Sequence, residues 1–119
     1  MTCLYSFLTR DEDIFITMSC RDILRHYGAE AQRDQLAEEC AEFSAARWKN
    51  HKRPSPEAEE HEMDELADVI VMLEQRVQML SPAEGRHLAQ HVMVKIDRQL
   101  ARIGQEQDAA SHRDIEHGC

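Results

Sequence analysis

Apolar positions along this chain recur at intervals of three and four residues over most of its length, the spacing of a helical face rather than the alternation of a strand. From about Glu30 to Asn50 there is no Gly or Pro, and Leu36, Cys40 and Phe43 recur at helical spacing beside Ala37 and Ala41, which predicts a helix. The stretch Asn50 to Pro56 breaks the pattern with two prolines. It predicts a loop that ends on Ser55 as N-cap and Pro56 in the first helical position. The next helix is expected from Pro56 to about Leu80, with Glu57, Glu59 and Glu60 in its early turns, where the positive end of the helix dipole favours anions.

Ser81, Pro82 and Glu84 spell a capping box with proline at the first helical position. Leu88, Val92, Ile96, Leu100 and Ile103 then follow at helical spacing, and Gly104 offers a stop. Upstream, Ser19 and Asp22 resemble a capping start for a short first helix that Gly28 closes. Residues 1–18 show no clean period and read as an N-terminal arm or an extension ahead of Met18. Residues 105–119 are polar and read as a disordered tail. The domain expected is therefore 19–104.

Within the third helix Val69, Ile70, Val71, Met72 and Leu73 are consecutive, so their side chains point all round the axis. One small core cannot bury such a girdle, and exposed apolar surface of this kind marks an interface; a homo-oligomer is expected.

Composition narrows the class. With 119 residues, four glycines, three prolines and 5% aromatics, the chain suits one mainly α domain with a modest core. Its formal charge of −9 disfavours a polymeric nucleic acid as main partner. Cys3, Cys20, Cys40 and Cys119 form no CxxC pair, no signal peptide is recognisable, and no apolar run approaches the ~20 residues of a membrane span. A cytoplasmic protein without membrane association is expected.

Two segments carry candidate chemistry: EECAE, Glu38 to Glu42, and ELAD, Glu65 to Asp68. Residues three or four apart share a helical face, so Glu39 with Glu42, Glu38 with Glu42, and Glu65 with Asp68 each aim oxygens in one direction. Like charges so placed repel, and a divalent cation resolves the conflict; hard oxygen donors suit Mg²⁺ or Mn²⁺. A single EExxE is more often a solvated helix face, and the second acidic segment is what shifts the balance.

The pair E-x-x-E and, after a 22-residue interval, E-x-x-D resembles the signature of MazG-like all-α nucleoside triphosphate pyrophosphatases. The segments Tyr27 to Ala46 and Glu65 to Gln75 are also similar to the short phage-type members, and Lys95 to Ile103 is similar to their basic closing helix. The resemblance spans about 19–104. It implies an all-α, four-helix MazG-like bundle completed by oligomerisation as a homodimer or homotetramer, and hydrolysis of a (d)NTP to (d)NMP and pyrophosphate by water attack at the α-phosphorus. It makes Glu39, Glu42, Glu65 and Asp68 the Mg²⁺ ligands, with Mn²⁺ as a substitute, and gives Glu38 the activation of water. Lys95 and Arg98 of the fourth helix, with Lys49, Lys52 or Arg53 near the loop, would contact the triphosphate. Asp97 departs from the Asn or Glu of many relatives. A house-cleaning role follows by analogy.

Other signals are weaker. Trp48 can stack on a nucleobase or pack against a neighbouring helix. Glu84 with His87 resembles half of a di-iron motif, whose second ExxH is missing, and His87 with His91 is spaced like two zinc ligands on one helical face; surface histidines are the plainer reading, and His112 and His117 take no role. Cys40 reads as a small core residue, and Met63, Met72 and Met79 as core filling. The reading that competes with the enzyme is a non-catalytic helical adaptor that keeps the fold.

Overall fold

The computed structural model describes residues 4–117, with His117 described by its backbone alone. Among these residues every regular element is helical: a short 3₁₀ turn at Tyr5–Phe7, then α1 (Arg10–Tyr27), α2 (Ala29–Lys52), α3 (Pro56–Gln78) and α4 (Pro82–His117). The chain divides after Leu80 into two compact units, the first holding α1 to α3 and the second α4.

α2 and α3 are joined by the short segment Arg53–Ser55 and form the main packing pair of the first unit, running antiparallel. Ser55 caps α3 by accepting the Ala58 N–H at 3.0 Å, and Pro56 occupies the first turn, where its missing N–H leaves nothing unsatisfied. α1 lies against both helices. Its Cys20 thiol donates to the Val71 carbonyl at 3.9 Å, and the Gln78 amide donates to the Thr17 carbonyl at 3.0 Å.

α1 begins ten residues earlier than expected from sequence, capped at Thr9 rather than Ser19, and Ser19 sits inside it. The true start is a capping box at Thr9: its hydroxyl accepts the Glu12 N–H at 3.2 Å, and its own N–H donates to Glu12 Oε1 at 2.8 Å. Ile16, Cys20 and Leu24 form the inward face, while exposed Ile14, Phe15 and Met18 blur the period in the sequence. Gly28 closes α1 as expected, with φ +92°, and also serves as N-cap of α2.

The interior of the first unit is as polar as it is apolar. Cys20, Ala46, Val69 and Met72 are buried, and so are Gln32, Asn50, Glu74 and Gln75. Inward positions of α2 include Gln32, Leu36, Glu39, Phe43, Ala46 and Asn50, so half of that stripe is polar. Cys40, expected in the core, is exposed because Glu39 occupies the inward side at that level. Of the methionine series only Met72 is buried; Met63 is exposed and Met79 half-buried.

The expected girdle divides: Val69 and Met72 are buried, Ile70 is half-buried, and Val71 and Leu73 are exposed. Five adjacent residues on a helix cannot all face one neighbour, and α1 with α2 covers only part of the circumference.

α4 opens as read from sequence, with Ser81 N–H donating to Glu84 Oε1 at 3.0 Å and Ser81 Oγ accepting the Glu84 N–H at 3.2 Å. It does not stop at Gly104 but continues as helix to His117. A C-terminal glycine stop needs a positive φ, which among the described residues Gly28 alone adopts. Gln105 to Arg113 is rich in residues with good helix propensity, and the segment expected to be disordered is helical as far as His117, its last two residues lying outside those described.

Candidate metal centre

The antiparallel pairing of α2 and α3 is fixed by contacts on either side of the acidic segments. Nearest the turn, buried Asn50 donates from Nδ2 to Glu59 Oε2 at 2.7 Å and to Glu62 Oε2 at 3.2 Å. Arg47 then pairs with Glu62 Oε1 at 3.4 Å. At the far side Gln32 Nε2 donates to Gln75 Oε1 at 2.7 Å, within the core. Between these clamps the register sets Glu42 near Glu65, and Glu39 near Asp68.

Glu39, Glu42 and Glu65 each offer an oxygen within 4.8 Å of the others, and Asp64, Glu65 and Asp68 form a second set within the same limit. Glu65 belongs to both. Glu39 and Glu65 are half-buried, whereas Glu42, Asp64 and Asp68 are exposed.

One oxygen of each inward glutamate has a neighbour. Glu39 Oε1 accepts from Gln35 Nε2 at 2.8 Å, and Glu65 Oε1 lies 3.8 Å from His61 Nε2. The second oxygens, Oε2 of Glu39 and Oε2 of Glu65, are buried without a hydrogen-bond donor. A buried carboxylate oxygen lacking a donor forfeits the hydration it had in the unfolded chain.

The repulsion is visible in the titration of the outer members. The charge of Glu39 is the largest cause that raises the Glu42 carboxyl above its ordinary value; burial, Glu65, a hydrogen bond shared with Glu39, and Glu38 add to it. Asp68 is raised chiefly by desolvation, then by Glu39 and Asp64. Within the cluster itself, relief comes from holding a proton.

These observations test the fit of a divalent cation on the chain's own terms. The donors are all carboxylate oxygens, two of them buried without a donor, and two carboxyls resist ionisation, Glu42 chiefly because of the charge of Glu39 and Asp68 chiefly because of desolvation. Hard, highly charged cations take such donors. The residues fit Mg²⁺ or Mn²⁺.

The four ligand candidates read from sequence, Glu39, Glu42, Glu65 and Asp68, are thus brought to one place on the α2–α3 surface. Glu38 is exposed and belongs to neither oxygen set among the described residues. Asp64 was not singled out from sequence, although it precedes Asp68 by one helical turn and so shares its face. Gln35 and His61 escaped notice for another reason: their role is to touch a ligand candidate, which residue type and spacing alone do not announce.

Trp48, Lys49 and Lys52 are exposed near the C-terminal end of α2. The Trp48 ring is stacked on His51 at 5.5 Å between centroids, and Lys52 Nζ lies 5.2 Å from its centroid. Lys95 and Arg98 stand on α4, exposed, in the second unit.

No known protein family, curated protein or solved structure matches this chain. Among the described residues no helix is long and apolar enough to cross a membrane.

Proposed function

We propose that this chain is a Mg²⁺-dependent nucleoside triphosphate pyrophosphohydrolase of the MazG-like kind, cleaving a (d)NTP to (d)NMP and pyrophosphate. The observation that carries this reading is the convergence of Glu39 and Glu42 from α2 with Glu65 from α3, oxygens within 4.8 Å, with a second set sharing Glu65.

Glu39, Glu42, Glu65 and Asp68 would hold the cation. When bound, Mg²⁺ supplies Lewis-acid polarisation of phosphate oxygens and a more acidic water. The chain's own part is to place and balance charge. Gln35 fixes the Glu39 carboxylate by its 2.8 Å hydrogen bond to Oε1, which leaves Oε2 buried and without a donor. Glu38, exposed beside the cluster, is the base assigned to the attacking water. Lys49 and Lys52 are candidates for the triphosphate, and the exposed Trp48 face for the nucleobase. Lys95 and Arg98 are candidates on the resemblance alone. The same reading makes the protein a cytoplasmic homodimer or homotetramer, whose contact surface uses exposed apolar residues of α3 such as Val71 and Leu73.

The test is pyrophosphate release from a panel of NTPs and dNTPs with Mg²⁺ present or chelated, beside Glu39→Gln and Asp68→Asn. Metal-dependent release by the wild type, lost in both variants, supports the reading and identifies the substrate. Silence across the panel with Mg²⁺ and Mn²⁺ sinks it and favours a non-catalytic adaptor.

A further inference from the structure

We propose that His87 and His91 on α4 form a chelating site for a borderline transition-metal cation, Zn²⁺ or its neighbours Ni²⁺ and Cu²⁺. This inference is independent of the pyrophosphohydrolase reading, because the donors are nitrogens and stand on the other unit of the chain.

Four residues apart, the two histidines share a face of α4. Their rings are nearly perpendicular, at 86°, with centroids 4.6 Å apart, and both side chains are exposed. The same atom of each ring is turned inward: Nε2 of His91 lies 3.1 Å from Nε2 of His87. Zinc–nitrogen bonds are ~2.0–2.1 Å, so two nitrogens at this separation subtend about 100° at a shared ion, between octahedral and tetrahedral angles. The nitrogen spacing that a two-imidazole chelate needs is thus present before any ion arrives.

In the neutral pair one Nε2 must carry a proton and the other must accept it. When a cation binds, the donating ring takes its proton on Nδ1 instead, and both Nε2 lone pairs turn to the metal with no net proton change. Imidazole donors select Zn²⁺, Ni²⁺ or Cu²⁺ over Mg²⁺, the reverse of the carboxylate cluster. Glu84 Oε1 accepts the Ser81 N–H in the capping box and is not counted as a ligand. Two protein donors leave the remaining positions to water.

The experiment titrates ZnCl₂ into the full chain held in excess Mg²⁺, followed by calorimetry, with helix content checked by circular dichroism. His87→Gln and His91→Gln, each at an exposed position, should weaken one Zn²⁺-binding event by about a hundredfold through loss of the chelate, while Glu39→Gln leaves it intact. In the wild type, NMR should show the ring resonances of His87 and His91 shifting together at the first equivalent of Zn²⁺. Unchanged binding in both histidine variants, displacement of Zn²⁺ by Mg²⁺, or ring shifts confined to other histidines would overturn the proposal.

Discussion

Gln32 of α2 donates to Gln75 of α3 at 2.7 Å, and the acceptor side chain is fully buried, its own amide turned to the Val71 carbonyl at 3.3 Å. A buried amide pair of this kind fixes which turn of one helix meets which turn of the other, since a slip of one turn strands both groups. Gln75→Ala should therefore destabilise the chain by about 1–3 kcal/mol, because Gln32 is left without its partner. Replacing both by leucine should cost less than the two single changes added together, as read by urea denaturation.

Ligand loss and enzyme loss should coincide if the carboxylate assignment holds. Mg²⁺ should raise the melting temperature of the wild type by mass action. Glu39→Gln and Asp68→Asn should weaken that response by more than the ~10–100-fold typical of losing an outer-shell partner. Gln35→Ala, which removes only the group steadying Glu39, should have the smaller effect. Thermal melts against Mg²⁺ concentration would decide this; equal responses in all four proteins would refute the assignment.

The raised carboxyls predict an inverted pH effect in the absence of divalent ions. Glu42 and Asp68 titrate above their ordinary values of 4.5 and 3.8. Their contribution to stability is therefore fully present below those values and is lost as pH rises through the folded values. In EDTA at neutral pH, Glu42→Gln and Asp68→Asn should each melt higher than the wild type. The difference should shrink as pH falls through the raised folded values, vanish below the ordinary values of 4.5 for Glu42 and 3.8 for Asp68, and shrink again at neutral pH once Mg²⁺ is added.

The start of α1 gives a prediction of opposite sign. Glu12 is held below its ordinary value, first by the Thr9 backbone N–H and then by the Thr9 side chain. That contribution is present above the unfolded value and lost as pH falls through the folded one. Thr9→Ala should cost about 1 kcal/mol and should speed hydrogen exchange in the first turn of α1. Unchanged exchange there would argue against a helix beginning at Arg10.

Gly104 lies inside α4, and a Cβ built on it meets nothing within 4 Å. Gly104→Ala should stabilise the helix by up to ~1 kcal/mol, seen as stronger helical dichroism on heating. A loss of helicity would restore the stop that the sequence suggests.

α2, α3 and the start of α4 are legible because their signals agree: α2 lacks breakers, Ser55 and Pro56 mark the start of α3, and Ser81 with Glu84 marks that of α4. The start of α1 is hidden in the sequence because exposed Ile14, Phe15 and Met18 lie among the inward Ile16, Cys20 and Leu24 and blur their helical period. α4 was cut at Gly104 because glycine is a stop only when the backbone takes a positive φ, and residue type does not reveal φ. The site shows the same division. Spacing put Glu39 with Glu42 and Glu65 with Asp68 on common faces, whereas the meeting of Glu42 with Glu65 depends on helix register, which Gln32, Gln75 and Asn50 settle across long separations in sequence. Cys40 went wrong because an inward stripe was taken to be apolar, and here it runs through Glu39.

At Gly28 one residue ends α1 and begins α2, with φ +92° and ψ 157°, a backbone state that side-chain-bearing residues hardly visit. The consequence is a constraint on variation. Elsewhere a connection between helices absorbs insertions and tolerates many residue types, but this joint has no slack in length and none in identity. A library randomised at this single codon and selected for folding should return glycine, making position 28 a narrower gate than any residue of the core.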